Sequence, residues 1–99
     1  MTTKNKSGQL VNRFDFLDDA KDKVRERGIE YGSVQDNFEK IARIWSVVLG
    51  HEVTVAQVAL CMAGLKIARL TYDSEDVDGW ADLAGYAACG GEVTRRDDL

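Results

Sequence analysis

Two charged pairs are the residues best placed to do chemistry in this chain. Lys66 and Arg69 are three positions apart in an otherwise apolar segment, and Asp78 and Asp82 are four positions apart in the next segment. Cations on a mostly apolar helix need carboxylate partners or an anionic ligand, because burying an unpaired charge is costly. Two interpretations stay open: a structural ion-pair network, or a polar binding site between helices.

A second candidate site lies earlier in the chain, where Arg27, Tyr31 and Asn37 surround Gly32. A tyrosine ring can stack on a nucleobase, and an asparagine amide can hydrogen-bond a base edge, a ribose or a phosphate. The glycine lets the backbone turn or approach a ligand closely. The alternative is a local turn in which Tyr31 packs on the core and Asn37 bonds to its neighbours.

Other kinds of catalytic or metal site have little support in the sequence. His51 is the sole histidine, and the two cysteines, Cys61 and Cys89, lie far apart without a C-x-x-C motif. We therefore expect no zinc site, and we expect the cysteines to be reduced, buried thiols of a cytosolic protein. The motifs of phosphate-binding loops, serine hydrolases and zinc proteases are also missing from the sequence.

The elements that must position these residues are helices, because apolar residues recur at helical spacing along the chain. Gly28 is predicted to end the first helix, and Asp36 to cap the second, with Glu39 at capping-box spacing. Thr54 and Gln57 form a capping box before a third helix that is apolar nearly all round and is predicted to be the most buried. The predicted helices are residues 13–28, 36–50, 54–72 and 75–92. The last two form an antiparallel hairpin because their connection is short.

Composition limits the class of protein. The 99 residues carry 13 Lys and Arg against 17 Asp and Glu, a formal net charge of −4, which argues against a general nucleic-acid binder. No apolar run reaches the roughly 18 residues of a membrane span, and the N-terminus lacks a secretory signal. We predict one helical domain over residues 13–93, a flexible tail over 1–12 and a charged tail over 94–99. The small core is expected to be completed by homo-oligomerisation.

Several short strings carry a resemblance: YG at 31–32, NFEKIA at 37–42, WS at 45–46, LKIAR at 65–69 and DGWADLAGY at 78–86. In combination they resemble a family of small all-helical proteins of unknown function found in phages and prophages. Such proteins look like relatives of the MazG-like all-α nucleoside triphosphate pyrophosphohydrolases, and are similar to helical domains associated with phage nucleotide modification. The resemblance covers about residues 14–93 and implies an all-α, four-helix MazG-like bundle.

The resemblance also implies a metal set, which this sequence matches only in part. The MazG pattern sets an E-x-x-E pair on one helix against an E-x-x-D pair on another, and the acids together hold Mg²⁺. Asp78 and Asp82, or Glu75 and Asp78, match the second pair. The first pair is reduced to Glu39, so the implied metal ligands are Asp78, Asp82 and Glu39.

The favoured hypothesis is a phage-type protein that binds a nucleotide or a cyclic-nucleotide immune signal without turnover, without a cofactor, and so blunts host defence. The first alternative is a Mg²⁺-dependent nucleoside triphosphate pyrophosphohydrolase, and the second is an interaction module whose polar cluster is structural. The expected location is the cytoplasm of an infected bacterial host, with a small nucleotide and further copies of this chain as partners. The predicted ligand-binding residues are Arg27, Tyr31, Asn37, Lys66, Arg69, Asp78 and Asp82.

Overall fold

The chain folds into four α-helices, and residues 10–95, which the computed structural model describes, contain no strand. The prediction of an all-α fold is confirmed. The predicted tails fall largely on residues 1–9 and 96–99, which lie outside the described residues, so the domain boundaries stay predictions. The helices are α1 (Arg13–Tyr31), α2 (Val34–Leu49), α3 (Val55–Tyr72) and α4 (Val77–Thr94).

The first helix is longer than predicted. It begins at a capping box, in which the Asn12 side chain accepts from the Asp15 N–H and the Asp15 carboxylate accepts from the Asn12 N–H. The prediction that Gly28 ends α1 is wrong, because the helix continues through Gly28 to Tyr31. Its end is Gly32, whose φ of 82° and ψ of −156° fall in a region almost restricted to glycine. A glycine inside a helix costs only about 1 kcal/mol, so α1 tolerates Gly28.

The two glycines at the end of α1 are expected to respond oppositely to alanine. Gly28→Ala should raise the free energy of unfolding by about 0.5–1 kcal/mol, because alanine favours the helix and its Cβ meets no atom within 4 Å. Gly32→Ala should lower it by about 1–3 kcal/mol, because its backbone conformation is strained for any other residue. Urea denaturation followed by circular dichroism measures both changes in the free energy of unfolding. Two changes of the same sign would contradict the assignment of Gly32, rather than Gly28, as the end of α1.

The second helix starts one turn earlier than predicted. Ser33, rather than Asp36, is its N-cap, and the Ser33 hydroxyl accepts a 3.1 Å hydrogen bond from the Asp36 N–H. The helix ends at Gly50, as predicted, with a φ of 75°. Near that end, the Ser46 hydroxyl accepts from the Val53 N–H at 2.8 Å, which fixes the connection to α3.

The third and fourth helices form the predicted antiparallel hairpin. Thr54 and Gln57 make the expected capping box at the start of α3. Along the hairpin, a Cβ at Gly90 would lie only 3.1 Å from that of Ala59, so glycine allows the close approach of the two helices. Gly85 plays a similar role towards α1, where a Cβ would lie 3.4 Å from a Val24 methyl carbon. Gly85 and Gly90 therefore serve packing within the chain.

The main core lies where α2, α3 and the C-terminal part of α4 meet. One side of α2 and the start of α3 supply most of its apolar side chains. The buried members of this cluster are Phe38, Ala42, Val53, Val58, Ala59 and Val93. None of these residues belongs to α1. That helix packs mainly against α4 and makes little contact with α2, so space remains between α1 and α2.

The prediction that α3 is the most buried helix is wrong. The most buried helix is α4, with four buried residues against three in α3, and only 17 % of Val55–Tyr72 is buried. Leu60, Leu65 and Ile67 are exposed on the surface of α3. By length and a mean hydropathy of 1.2, this helix could cross a membrane, although Lys66 and Arg69 interrupt its apolar run. The lack of an unbroken apolar run of 18 residues therefore does not by itself exclude a membrane span. Within this fold, α3 packs along α4 as one member of a helical hairpin.

Candidate functional site

A cavity of about 660 Å³ lies between α1, α2 and α4, and we call it the interhelical cavity. Its inner wall is apolar and comes from all four helices. That wall includes Val24, Phe38, Ile41, Met62 and Tyr86. Small-molecule sites are typically concave, largely apolar and about 300–1,000 Å³ in volume, with a few polar groups that orient the ligand. The interhelical cavity has that character.

The predicted cluster at the end of α1 comes together at this cavity. Arg27 and Tyr31 reach it from α1 and Asn37 from the first turn of α2, while Gly32 makes the turn between them. Tyr31 is largely exposed rather than packed on the core. Within residues 10–95, the Arg27 guanidinium has no carboxylate within 4.0 Å, and the Asn37 amide forms no side-chain hydrogen bond. The local-turn alternative placed Tyr31 on the core, which its exposure contradicts, while the Asn37 N–H does donate locally to the Ser33 carbonyl at 3.1 Å.

The second predicted cluster is an ion-pair network that joins three helices. Lys66 Nζ on α3 lies 3.0 Å from Asp82 Oδ2 on α4, so the predicted approach of Asp82 to Lys66 is confirmed. The other oxygen of Asp82 lies 3.3 Å from Lys23 Nζ on α1. Lys23 Nζ is also 3.3 Å from carboxylate oxygens of Asp19 and Asp78. Of this network, Lys23 and Asp82 line the interhelical cavity.

The structure does not bring Arg69 to either cluster. It is exposed, and among the described residues it has no ion-pair partner; it does not line the interhelical cavity. The rotation of α3 about its axis that turns Lys66 towards α4 leaves Arg69 on the side that faces solvent. Arg69 therefore has no assigned place in the candidate site, although its spacing from Lys66 suggested a pair.

Lys23 is a residue of the candidate site that the sequence did not predict. Burial disfavours its charge, but Asp82, Asp78 and Asp19 outweigh that effect and raise the pKa of Lys23 above its usual value. Burial likewise acts to raise the pKa of Asp82, but Lys66 and Lys23 outweigh it, so the pKa of Asp82 is lowered. Both groups are therefore charged throughout the neutral pH range, and the network links α1, α3 and α4 there.

The cavity wall also contains a thiol. Burial, together with the negative charge of Glu92, outweighs Arg27 and raises the pKa of the Cys89 thiol. Cys89 is therefore a neutral, unreactive part of the wall at neutral pH. The prediction of two buried thiols is wrong, because Cys61 is exposed on α3 and Cys89 is only partly buried.

The carboxylates do not form the metal site that the hydrolase alternative implies. Glu39 accepts a 2.9 Å hydrogen bond from Gln35 on its own helix. Asp78 and Asp82 share the Lys23 ammonium, which lies between them where a cation would be needed. In the described residues 10–95, no group of three or more histidine, cysteine, aspartate or glutamate side chains could hold a metal ion. This donor set does not fit Mg²⁺.

Comparison with known proteins places the chain in a family. Residues 15–94 match the family model described as "Domain of unknown function (DUF6378)". The chain belongs to the DUF6378 family. The matched segment of this DUF6378 chain runs from the start of α1 to the end of α4, and so includes every residue that lines the interhelical cavity.

Two curated phage proteins are similar to this DUF6378 chain, and both carry the name Gene 55 protein. The protein of Mycobacterium phage D29 is 39 % identical over 64 residues, which cover 65 % of this chain and 42 % of the phage protein. The protein of Mycobacterium phage L5 is 40 % identical over 63 residues, covering 63 % and 40 %. The aligned part thus spans less than half the length of these relatives. No solved structure matches the chain. The predicted association with phages is confirmed.

Proposed function

We propose that this chain is a phage protein that binds a nucleotide in the interhelical cavity and retains it without turnover. The observation that carries the proposal is the meeting of Arg27, Tyr31 and Asn37 at one apolar cavity of about 660 Å³. These residue types suit a phosphate, a base face and a base or ribose edge respectively. The incomplete carboxylate set supports binding rather than hydrolysis.

Each of the three residues has a distinct role in the proposal. The Tyr31 ring stacks on the base, a contact worth about 1–3 kcal/mol where aromatic side chains bind nucleic-acid bases. The Asn37 amide supplies both a donor and an acceptor at the cavity rim. The Arg27 guanidinium binds phosphate through two parallel N–H···O bonds, for which its planar fork is suited. The apolar wall excludes water from the remaining base and sugar surface.

The ion-pair network supports the site from outside. Lys23 and Asp82 form part of the cavity wall, and Lys66 holds Asp82 in place from α3. Asp78, which is exposed, also holds Lys23 through a 3.3 Å ion pair. In this proposal Lys66, Asp78 and Asp82 are positioning residues, and the predicted ligand role of Arg69 has no support from its position.

Calorimetric titration with ribonucleotides and cyclic dinucleotides, with and without Mg²⁺, tests the proposal. We expect saturable binding by the wild type and at least tenfold weaker binding by Arg27→Met. Arg25→Met is the matched control, because Arg25 is an exposed arginine on the same helix that does not line the cavity. Equal losses in both variants, or no binding by any nucleotide, would contradict the proposal.

The same samples distinguish retention from hydrolysis. Chromatography after prolonged incubation should recover the bound nucleotide intact. Pyrophosphate or a nucleoside monophosphate that accumulates with time would instead identify the MazG-like hydrolase alternative. Retention fits a setting in the cytoplasm of an infected bacterium, where sequestering a nucleotide or cyclic-nucleotide signal would blunt host defence.

We also propose that the chain assembles with copies of itself. Ile44, Val47 and Val48 are exposed and share one face near the end of α2, and we call them the α2 patch. No charged residue lies between these three side chains on the helix, so a second copy can pack against them without burying an unpaired charge. Exposed large apolar side chains grouped on one helix face are a common feature of interfaces.

A further inference from the structure

We propose that the site selects a ligand with a single phosphate group, such as a nucleoside monophosphate, over the corresponding triphosphate. This inference rests on the proposed nucleotide binding and names its ligand class. The evidence is the distribution of charge around the interhelical cavity, which contains one cation able to bind phosphate and several carboxylates that repel further phosphates.

A polar cleft of about 370 Å³ adjoins the interhelical cavity. The two spaces share Lys23, Arg27, Tyr31 and Asp82 as lining residues, so they lie side by side. The cleft adds Glu26 and Glu30 of α1 and Asp78 of α4. Together the two spaces are lined by two cations and five carboxylates. Asp78 and Asp82 are paired with lysines, whereas Glu26, Glu30 and Glu92 have no ion-pair partner among residues 10–95. Such a surface disfavours a ligand with several negative charges.

The two cations are not equivalent. Lys23 Nζ lies 3.3 Å from each of three carboxylates, so its charge is already neutralised within the protein. Arg27 has no carboxylate within 4.0 Å among the described residues, and it lines both the cavity and the cleft. Arg27 is therefore the one lining cation of residues 10–95 that remains able to pair with a phosphate.

Further phosphates would extend from Arg27 into unfavourable surroundings. Glu26 precedes Arg27 directly, and Glu30 lies three positions later on the same helix; both line the cleft. Within the described residues neither glutamate has an ion-pair partner that would neutralise it. A base in the cavity with its first phosphate on Arg27 would place a β- or γ-phosphate beside this pair. Like charges at such separations repel, and the effect weakens as salt screens it.

The experiment compares adenosine, guanosine, cytidine and uridine with their 5′-monophosphates and 5′-triphosphates, by calorimetry at low salt without Mg²⁺. For each base that binds, we expect the monophosphate to bind at least tenfold tighter than both the nucleoside and the triphosphate. The double substitution Glu26→Gln and Glu30→Gln should strengthen triphosphate binding. It should thereby narrow the difference in affinity between monophosphate and triphosphate. Adding 0.5 M NaCl should also narrow this difference in affinity, because it screens the repulsion between the glutamates and the phosphates. That concentration is roughly five times the salt that gives a 10 Å screening length.

The outcomes separate this inference from the proposal beneath it. A triphosphate that binds as tightly as its monophosphate, or a gap unchanged by the glutamate substitutions, would overturn the preference while leaving nucleotide binding intact. Failure of all twelve probes, with binding of a cyclic dinucleotide, would likewise overturn only the preference. Failure of the twelve probes and of the cyclic dinucleotides would overturn both. Because Glu26 and Glu30 are exposed, their substitution by glutamine is not expected to disturb the fold.

Discussion

Phe38→Ala is expected to lower the free energy of unfolding by about 3–5 kcal/mol, a range typical of buried aromatic truncations. Phe38 is 4 % exposed and lies in the main core, with one side on the interhelical cavity. Its removal would extend that cavity into the core. Because the neighbouring helices are fixed by caps and by the α3–α4 hairpin, they cannot move to fill the space. A small domain has only about 5–15 kcal/mol of stability in total, so the loss is large.

Urea denaturation followed by far-ultraviolet circular dichroism measures this effect. Phe14→Ala is the matched control, since Phe14 is 54 % exposed near the start of α1 and contacts the Arg13 guanidinium. We expect the control to lose less than about 1 kcal/mol, as exposed substitutions usually do. Similar losses for the two phenylalanines would contradict the assignment of Phe38 to the core.

The second large effect is expected on assembly. In the proposed assembly through the α2 patch, Val47→Glu combined with Val48→Glu should convert the oligomer into a monomer. These side chains are 82 % and 75 % exposed in the single chain, so glutamate there costs the fold little. In an interface formed by two α2 patches, the same carboxylates would lose their hydration without gaining partners. The interface is therefore expected to dissociate while the helices remain folded.

Sedimentation velocity over a range of protein concentrations measures the assembly. Arg25→Glu is the control, because it places a glutamate on an exposed helical position outside the α2 patch and should leave the assembly unchanged. A monomeric wild-type protein would contradict the proposal. A wild type that does not self-associate but co-floats with lipid vesicles in a density gradient would also contradict it. The exposed apolar surface would then bind a membrane.

The hairpin of α3 and α4 could be predicted from local sequence because its signals are short-range. Thr54 and Gln57 mark the start of α3, and the connection to α4 is too short for any arrangement but a hairpin. The end of α1 was harder, because Gly28 and Gly32 are both plausible ends. The Ser33 cap of α2 and the backbone conformation of Gly32 set the end of α1 at Gly32. The spacing of apolar residues indicates neither feature.

The candidate site was predictable where its residues lie close together in the chain. Arg27, Tyr31 and Asn37 fall on either side of one turn, so their meeting follows from local geometry. Lys23 was missed because its role depends on how α1 crosses α4, which brings Asp78 and Asp82 to it from more than fifty residues away. The exposure of α3 was missed because an apolar sequence indicates burial without distinguishing a core from an interface.

Nuclear magnetic resonance of the isotopically labelled chain tests the central claim most directly. Amide spectra would be recorded as the tightest-binding nucleoside monophosphate of the calorimetric panel is added. Binding in the interhelical cavity predicts the largest shifts at its lining residues, including Tyr31, Asn37 and Tyr86, with little change at Leu60 and Ile67 on the outer surface of α3. Shifts concentrated on α3 or the α2 patch, or an unchanged spectrum at saturating nucleotide, would contradict it.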